Sequence, residues 1–153
     1  MTLLAPTLQA FFTDRLLAHK NASPHTVASY RDCLRLLVRF AHQQTGTPPS
    51  QLAIEQLDAT LIGAFLDHLE RQRGLSIASR NTRLAAVHSL FRFAALRHPE
   101  HAELISRVLA IPAKRAHRAL VSFLPASAVR SHTWVTVAMM PQVTGSRVAG
   151  MAV

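Results

Sequence analysis

Two stretches of the chain, residues 23–44 and 75–97, carry the spacing of long amphipathic helices studded with arginine, and that pattern commits the chain to a helical fold. Ser23-Pro24 supplies an N-cap followed by proline at the first helical position, where the missing N–H costs nothing. On a 3.6-residue wheel Val27, Tyr30, Cys33, Leu34, Leu37, Val38, Phe40 and Ala41 gather on one side. His25, Ser29, Arg31, Asp32, Arg35, Arg39, His42 and Gln43 gather on the other. The first side reads as core and the second as a cationic strip. In the later stretch Leu84, Val87, Leu90, Phe91, Ala94 and Ala95 face away from an arc of Asn81, Thr82, Ala85, His88, Ser89 and Arg92. That arc mixes side chains suited to phosphate with side chains suited to base edges.

Breakers and weaker periodicities divide the rest. Pro6 and Thr7 open a first helix in which Leu8, Phe11, Phe12, Arg15, Leu16 and His19 recur at helical spacing, ending near Asn21. Gly46-Thr47-Pro48-Pro49-Ser50 stops the second helix. Leu57-Asp58 leads into Leu61, Phe65, Leu66 and Leu69, a third helix stopped by Gly74, with Arg71 and Arg73 offsetting the negative end of its dipole. His98-Pro99 ends the fourth, and residues 100–109 form a short fifth that Pro112 closes. Short connections and no repeat of solenoid period predict an all-α bundle of four to five helices.

The run Ser23-Pro24-His25-Thr26-Val27-Ala28-Ser29-Tyr30, continuing to Leu34, Leu37 and Phe40, resembles the S-x-x-T-x-x-x-Y-x-x-x-L-x-x-x-x-x-F pattern that opens the core-binding domain of tyrosine recombinases and phage integrases. Residues 75–94, from Leu75-Ser76 through Asn81, Arg83-Leu84-Ala85-Ala86 and Phe91-Arg92-Phe93-Ala94, are similar to that domain's later helix, L-S-x-x-T-x-N-x-R-L-A-A-L-R-S-F-F-R-F-A. The resemblance implies a SAM-like helical domain that clamps one side of a DNA duplex. It places a core-binding, DNA-binding domain at residues 1–118. Residues 119–153 then read as a linker and a truncated or frame-disrupted remnant of a catalytic domain, irregular or disordered.

Charge agrees with a polyanionic partner. The formal net charge is +9, yet residues 1–70 carry net −1 and residues 71–153 carry net +10. With double-stranded DNA as the partner, phosphate contacts are expected from Arg31, Arg35, Arg39, Arg80, Arg83, Lys114 and Arg115, with Thr26, Asn81, His88 and Arg92 nearer the groove. The competing readings are plain solvation of each arginine, and an arginine excess from GC-rich coding, since only Lys20 and Lys114 are lysines.

Other classes lack an anchor. No apolar run approaches the roughly 20 residues of a membrane span, and the N-terminus does not read as a secretory signal, so a cytoplasmic protein without a membrane partner is expected. Cys33 sits on the apolar side of its helix and reads as a small core residue. The nine histidines are not clustered with Cys or carboxylates, so no metal is expected. Without a Walker loop, G-x-G-x-x-G or G-x-S-x-G, no cofactor or small-molecule ligand is expected.

Catalysis fails by composition. In the resembled family a tyrosine attacks DNA while arginines, a lysine and histidines stabilise the phosphate. The only tyrosine, Tyr30, falls on the core stripe. Val121-Ser122-Phe123-Leu124 resembles the crossing into the family's catalytic domain, and Thr144-Gly145-Ser146-Arg147-Val148 resembles its first arginine box, but Ala149-Gly150 replaces the following S-E and no H-x-x-R follows it. Residues 125–153 contain no Asp, Glu or leucine. The sequence therefore predicts a DNA-binding module that is catalytically incompetent alone. Its alternatives are a helical fragment acting on an intact recombinase, and a decayed remnant.

Overall fold

The computed structural model describes residues 1–19 and 22–115. The expected linker through Arg118, the region 119–153, and the Val121–Leu124 and Thr144–Val148 motifs lie outside the described residues. Helix α1 (Leu4–Ala10) continues as a π-helical segment (Phe11–His19) and is followed by α2 (Pro24–Thr45), α3 (Ala59–Arg73), α4 (Ile77–Arg97) and α5 (Ala102–Leu109). Short 3₁₀ turns at Ile54–Gln56 and Pro99–His101 precede α3 and α5. The described residues are all-α, as the periodicity predicts.

The punctuation residues set the helix ends by identifiable bonds. Ser23 Oγ accepts from Thr26 N–H at 3.2 Å, Asp58 Oδ1 from Leu61 N–H at 2.8 Å, and Ser76 Oγ from Ser79 N–H at 3.1 Å. Each cap satisfies one otherwise orphaned donor and stabilises its helix by about 1 kcal/mol. Gly46 (φ 71°) and Gly74 (φ 60°) close α2 and α3 in the left-handed region that favours glycine.

The first helix begins at Leu4, two residues earlier than Pro6-Thr7 predicts. The cause is long-range: Leu4 N–H donates to the Leu52 carbonyl and Ile54 N–H to the Thr2 carbonyl, both at 2.8 Å, around an isolated bridge between Leu3 and Ala53. The N-terminal residues are thereby stapled to the connection between α2 and α3.

Helix α4 is the centre of the bundle, packed against α2, α3, α5 and the π-helical segment. Its buried residues are Arg80, Leu84, Ala86, Val87, Ser89, Leu90, Phe91, Phe93 and Ala94, which occupy most of its circumference. Phe11 stacks on Tyr30 at 6.3 Å with the rings 6° from parallel, and lies 5.7 Å from Phe93. Phe40 and Phe65, 5.7 Å apart, join α2 to α3. These rings are spent on the core.

Candidate nucleic-acid interface

Helix α2 divides as its wheel predicts. Cys33, Leu34, Leu37, Phe40 and Ala41 are buried, while Arg31, Arg35, Arg39 and His42 are exposed. Four helical residues advance about 6 Å, so Arg31, Arg35 and Arg39 form a row about 12 Å long. Asp32 is the one acidic residue of α2, and none of the three arginines lies within ion-pair distance of a carboxylate among the described residues. Beside the row runs a trough of about 520 Å³ whose apolar walls include Leu8, Phe12, Leu34, Val38 and Pro49. The trough was not legible in the sequence because it needs α1 laid against α2. Thr26 is exposed in the first turn of α2, its hydroxyl 3.0 Å from Ser23 Oγ.

The α4 arc is closed over only in part. Thr82, Ala85 and Arg92 are exposed, but Ser89 is buried and Asn81, Arg83 and His88 are half-buried. Arg80, expected at phosphate, is only 5% exposed. Its Nε lies 3.0 Å from Glu70 Oε1, and Nη1 donates to the Pro112 carbonyl at 3.4 Å. Asn81 holds the segment after α5 by a reciprocal pair, Nδ2 donating to the Lys114 carbonyl at 2.7 Å and Lys114 N–H donating to Oδ1 at 3.0 Å. Arg83 Nη1 donates to the Ser29 carbonyl at 3.4 Å and so ties α4 to α2. These three side chains are occupied with the protein's own backbone and with Glu70. For Arg80 and Asn81 the chain after α5 folds back over α4, and for Arg83 the partner is α2, neither of which helical periodicity can foresee.

Lys114 Nζ contacts Glu70 Oε2 at 2.8 Å, so Glu70 holds both Arg80 and Lys114. Glu70 is the site residue that sequence reasoning missed. Its only signal was a carboxylate ten residues before Arg80 in a region otherwise rich in arginine. Lys114 and Arg115 are exposed. Cys33 is a core thiol, as expected: burial pushes it up to about 11 against the opposing pull of the Arg83 guanidinium. No group of three or more His, Cys, Asp or Glu could hold a metal ion among the described residues.

His88 faces α5 instead of a groove, with Nε2 donating to the Val108 carbonyl at 3.2 Å. Burial holds its pKa below the ordinary value, with the Arg92 charge acting the same way and the Val108 carbonyl opposing. An imidazole depressed in the folded state binds fewer protons there than in the unfolded chain. Stability is then fully present above the unfolded value near 6.5 and falls as pH drops through it toward the folded value. The melting temperature is expected to fall between pH 7 and pH 5 more steeply for the wild type than for His88→Gln; equal slopes would show that His88 does not carry the effect.

The family model for the phage integrase N-terminal SAM-like domain matches residues 9–98, from the last turn of α1 through the end of α4. The chain belongs to this family. Two Sinorhizobium fredii proteins bear it out. One, named as an integrase/recombinase, y4rC, is 55% identical over 121 residues, covering 79% of this chain and 36% of its own length. Another of that designation, y4rD, is 50% identical over 115 residues, covering 75% of this chain and 41% of its own. The chain thus spans well under half the length of the relatives it matches. No solved structure matches it. Within the SAM-like domain no described helix is long and apolar enough to cross a membrane.

Proposed function

We propose that this SAM-like domain binds duplex DNA through the outer row of α2, as the core-binding module of a tyrosine recombinase acting in the cytoplasm. The observation that carries the reading is the row of Arg31, Arg35 and Arg39, exposed and without a carboxylate partner among the described residues. Three cations in line match a backbone that presents phosphates in line, and guanidinium groups can fork onto phosphate oxygens. Thr26 and Arg92, both exposed, are assigned to the groove side; Arg115 adds charge beyond α5, whereas Lys114 is already paired with Glu70. Membership of an integrase family and relatives named as integrase/recombinases support the same partner. The test is fluorescence anisotropy with a labelled duplex across a salt series: affinity should fall steeply and log-linearly with salt. Salt-insensitive behaviour, or no binding, would refute it.

The apolar trough beside the row favours a second reading, a helical partner segment such as one from an intact recombinase, bearing apolar residues and carboxylates. Association with that recombinase that survives high salt, in a chain that does not bind duplex, would select it.

Strand cleavage is not part of the proposal. Tyr30 is half-buried and its ring lies flat on Phe11, a placement suited to packing and not to in-line attack on phosphate. On nicked suicide duplex, the wild type and Tyr30→Phe are both expected to give no covalent protein–DNA adduct and nearly equal binding. An adduct present in the wild type and lost in Tyr30→Phe would overturn that expectation.

A further inference from the structure

The α2 row does not end at Arg39. The next position at helical spacing is Gln43, and Arg39 and Gln43 both line a cleft of about 270 Å³ between α2 and α3. From α3 the same cleft receives His68, Gln72 and Arg73. Its floor is apolar, and the His68 ring lies 5.1 Å from Phe40. No lining residue is acidic. Arg39 also lines the trough on the other side of α2, so one guanidinium stands at the junction of the two surfaces.

From this placement we infer that the α2–α3 cleft is a second anion site, which takes a phosphodiester of the DNA backbone and carries the duplex contact from α2 onto α3. The inference rests on the DNA-binding reading above and adds residues that the sequence did not single out for it. Two guanidinium groups and two side-chain amides offer only donors or donor-capable groups to an entering oxygen. The backbone cannot do the same work here. Arg73 sits in the last turn of α3, where the helix presents carbonyl groups and partial negative charge, so an anion must be met by side chains reaching beyond that end. Arg71, in the same turn, does not line the cleft and is the natural charge-matched comparison.

The experiment uses the full chain, a labelled duplex of about 20 base pairs and a salt series. Arg73→Ala is expected to weaken binding several-fold at about 0.1 M salt and to lower the log–log salt slope by about one, whereas Arg71→Ala should do markedly less. Arg73→Lys should restore most of the slope. In NMR titrations the side-chain amide signals of Gln43 and Gln72 should move as duplex is added, a response that a merely structural role for Arg73 would not produce. If the wild type binds and Arg35→Ala weakens it while Arg73→Ala matches Arg71→Ala and the glutamine signals stay still, the cleft inference falls and the α2 reading stands. If the wild type does not bind duplex, both fall.

Discussion

Replacing Glu70 by alanine is expected to destabilise the domain by about 3 kcal/mol, since removing one partner of a buried ion pair costs roughly 3–5 kcal/mol. The pair is Glu70 with Arg80, Oε1 to Nε at 3.0 Å, with side-chain exposures of 22% and 7%. Water reaches Glu70 in part, which puts the effect at the lower end of that range. The loss comes mostly from stranding Arg80: its guanidinium would keep only the Pro112 carbonyl and the Asn81 amide oxygen, each at 3.4 Å. Lys114 would lose its carboxylate as well. Because the cost lies in an unpaired charge, Glu70→Leu combined with Arg80→Met should recover most of it. Urea titration decides the matter: the single variant should lower the midpoint at constant slope, and a change below about 1 kcal/mol would mean that solvent already screens the pair.

The triple substitution Arg31→Ala, Arg35→Ala, Arg39→Ala is expected to lower the log–log salt slope of duplex binding by about 2.7, at about 0.9 for each phosphate contact removed. With the affinity extrapolated to 1 M salt unchanged, that slope corresponds to a loss of about 500-fold at 0.1 M. The three side chains are exposed, so the fold should survive. Circular dichroism and the urea midpoint separate a binding defect from an unfolded protein. A triple variant that is folded and keeps the wild-type slope would remove α2 from the interface.

Helix boundaries were legible because each is written in one or two residues whose chemistry acts locally: Ser23-Pro24, Gly46, Asp58 and Gly74 stand where the sequence places them. The amphipathic division of α2 was legible for the same reason, since one side meets the bundle and the other meets solvent. Arg80, Asn81, Arg83 and His88 were harder. A wheel sorts residues into two sides, whereas α4 is covered on more than one, by α5 through the Val108 carbonyl and by the segment after α5 through Pro112 and Lys114. A polar residue under such a cover has the same letter as one in water. The start of α1 at Leu4 was likewise hidden, because its cause lies about fifty residues away at Leu52 and Ile54. The π-helical winding of Phe11–His19 left no sequence signal that we can identify.

The enclosure of α4 has a consequence for how such domains diverge. A helix gripped on most of its circumference can accept few changes without creating a cavity or stranding a polar group, so drift along it should be slow. The outer row of α2 answers to no such constraint: its arginines contribute little to the bundle and can be exchanged while the scaffold stays intact. New partner preferences can then arise on α2 one exposed position at a time, with α4 as the inherited frame. A saturation library scored for folding should accordingly tolerate most residues at positions 31, 35 and 39, and very few at 80, 84, 87 and 91.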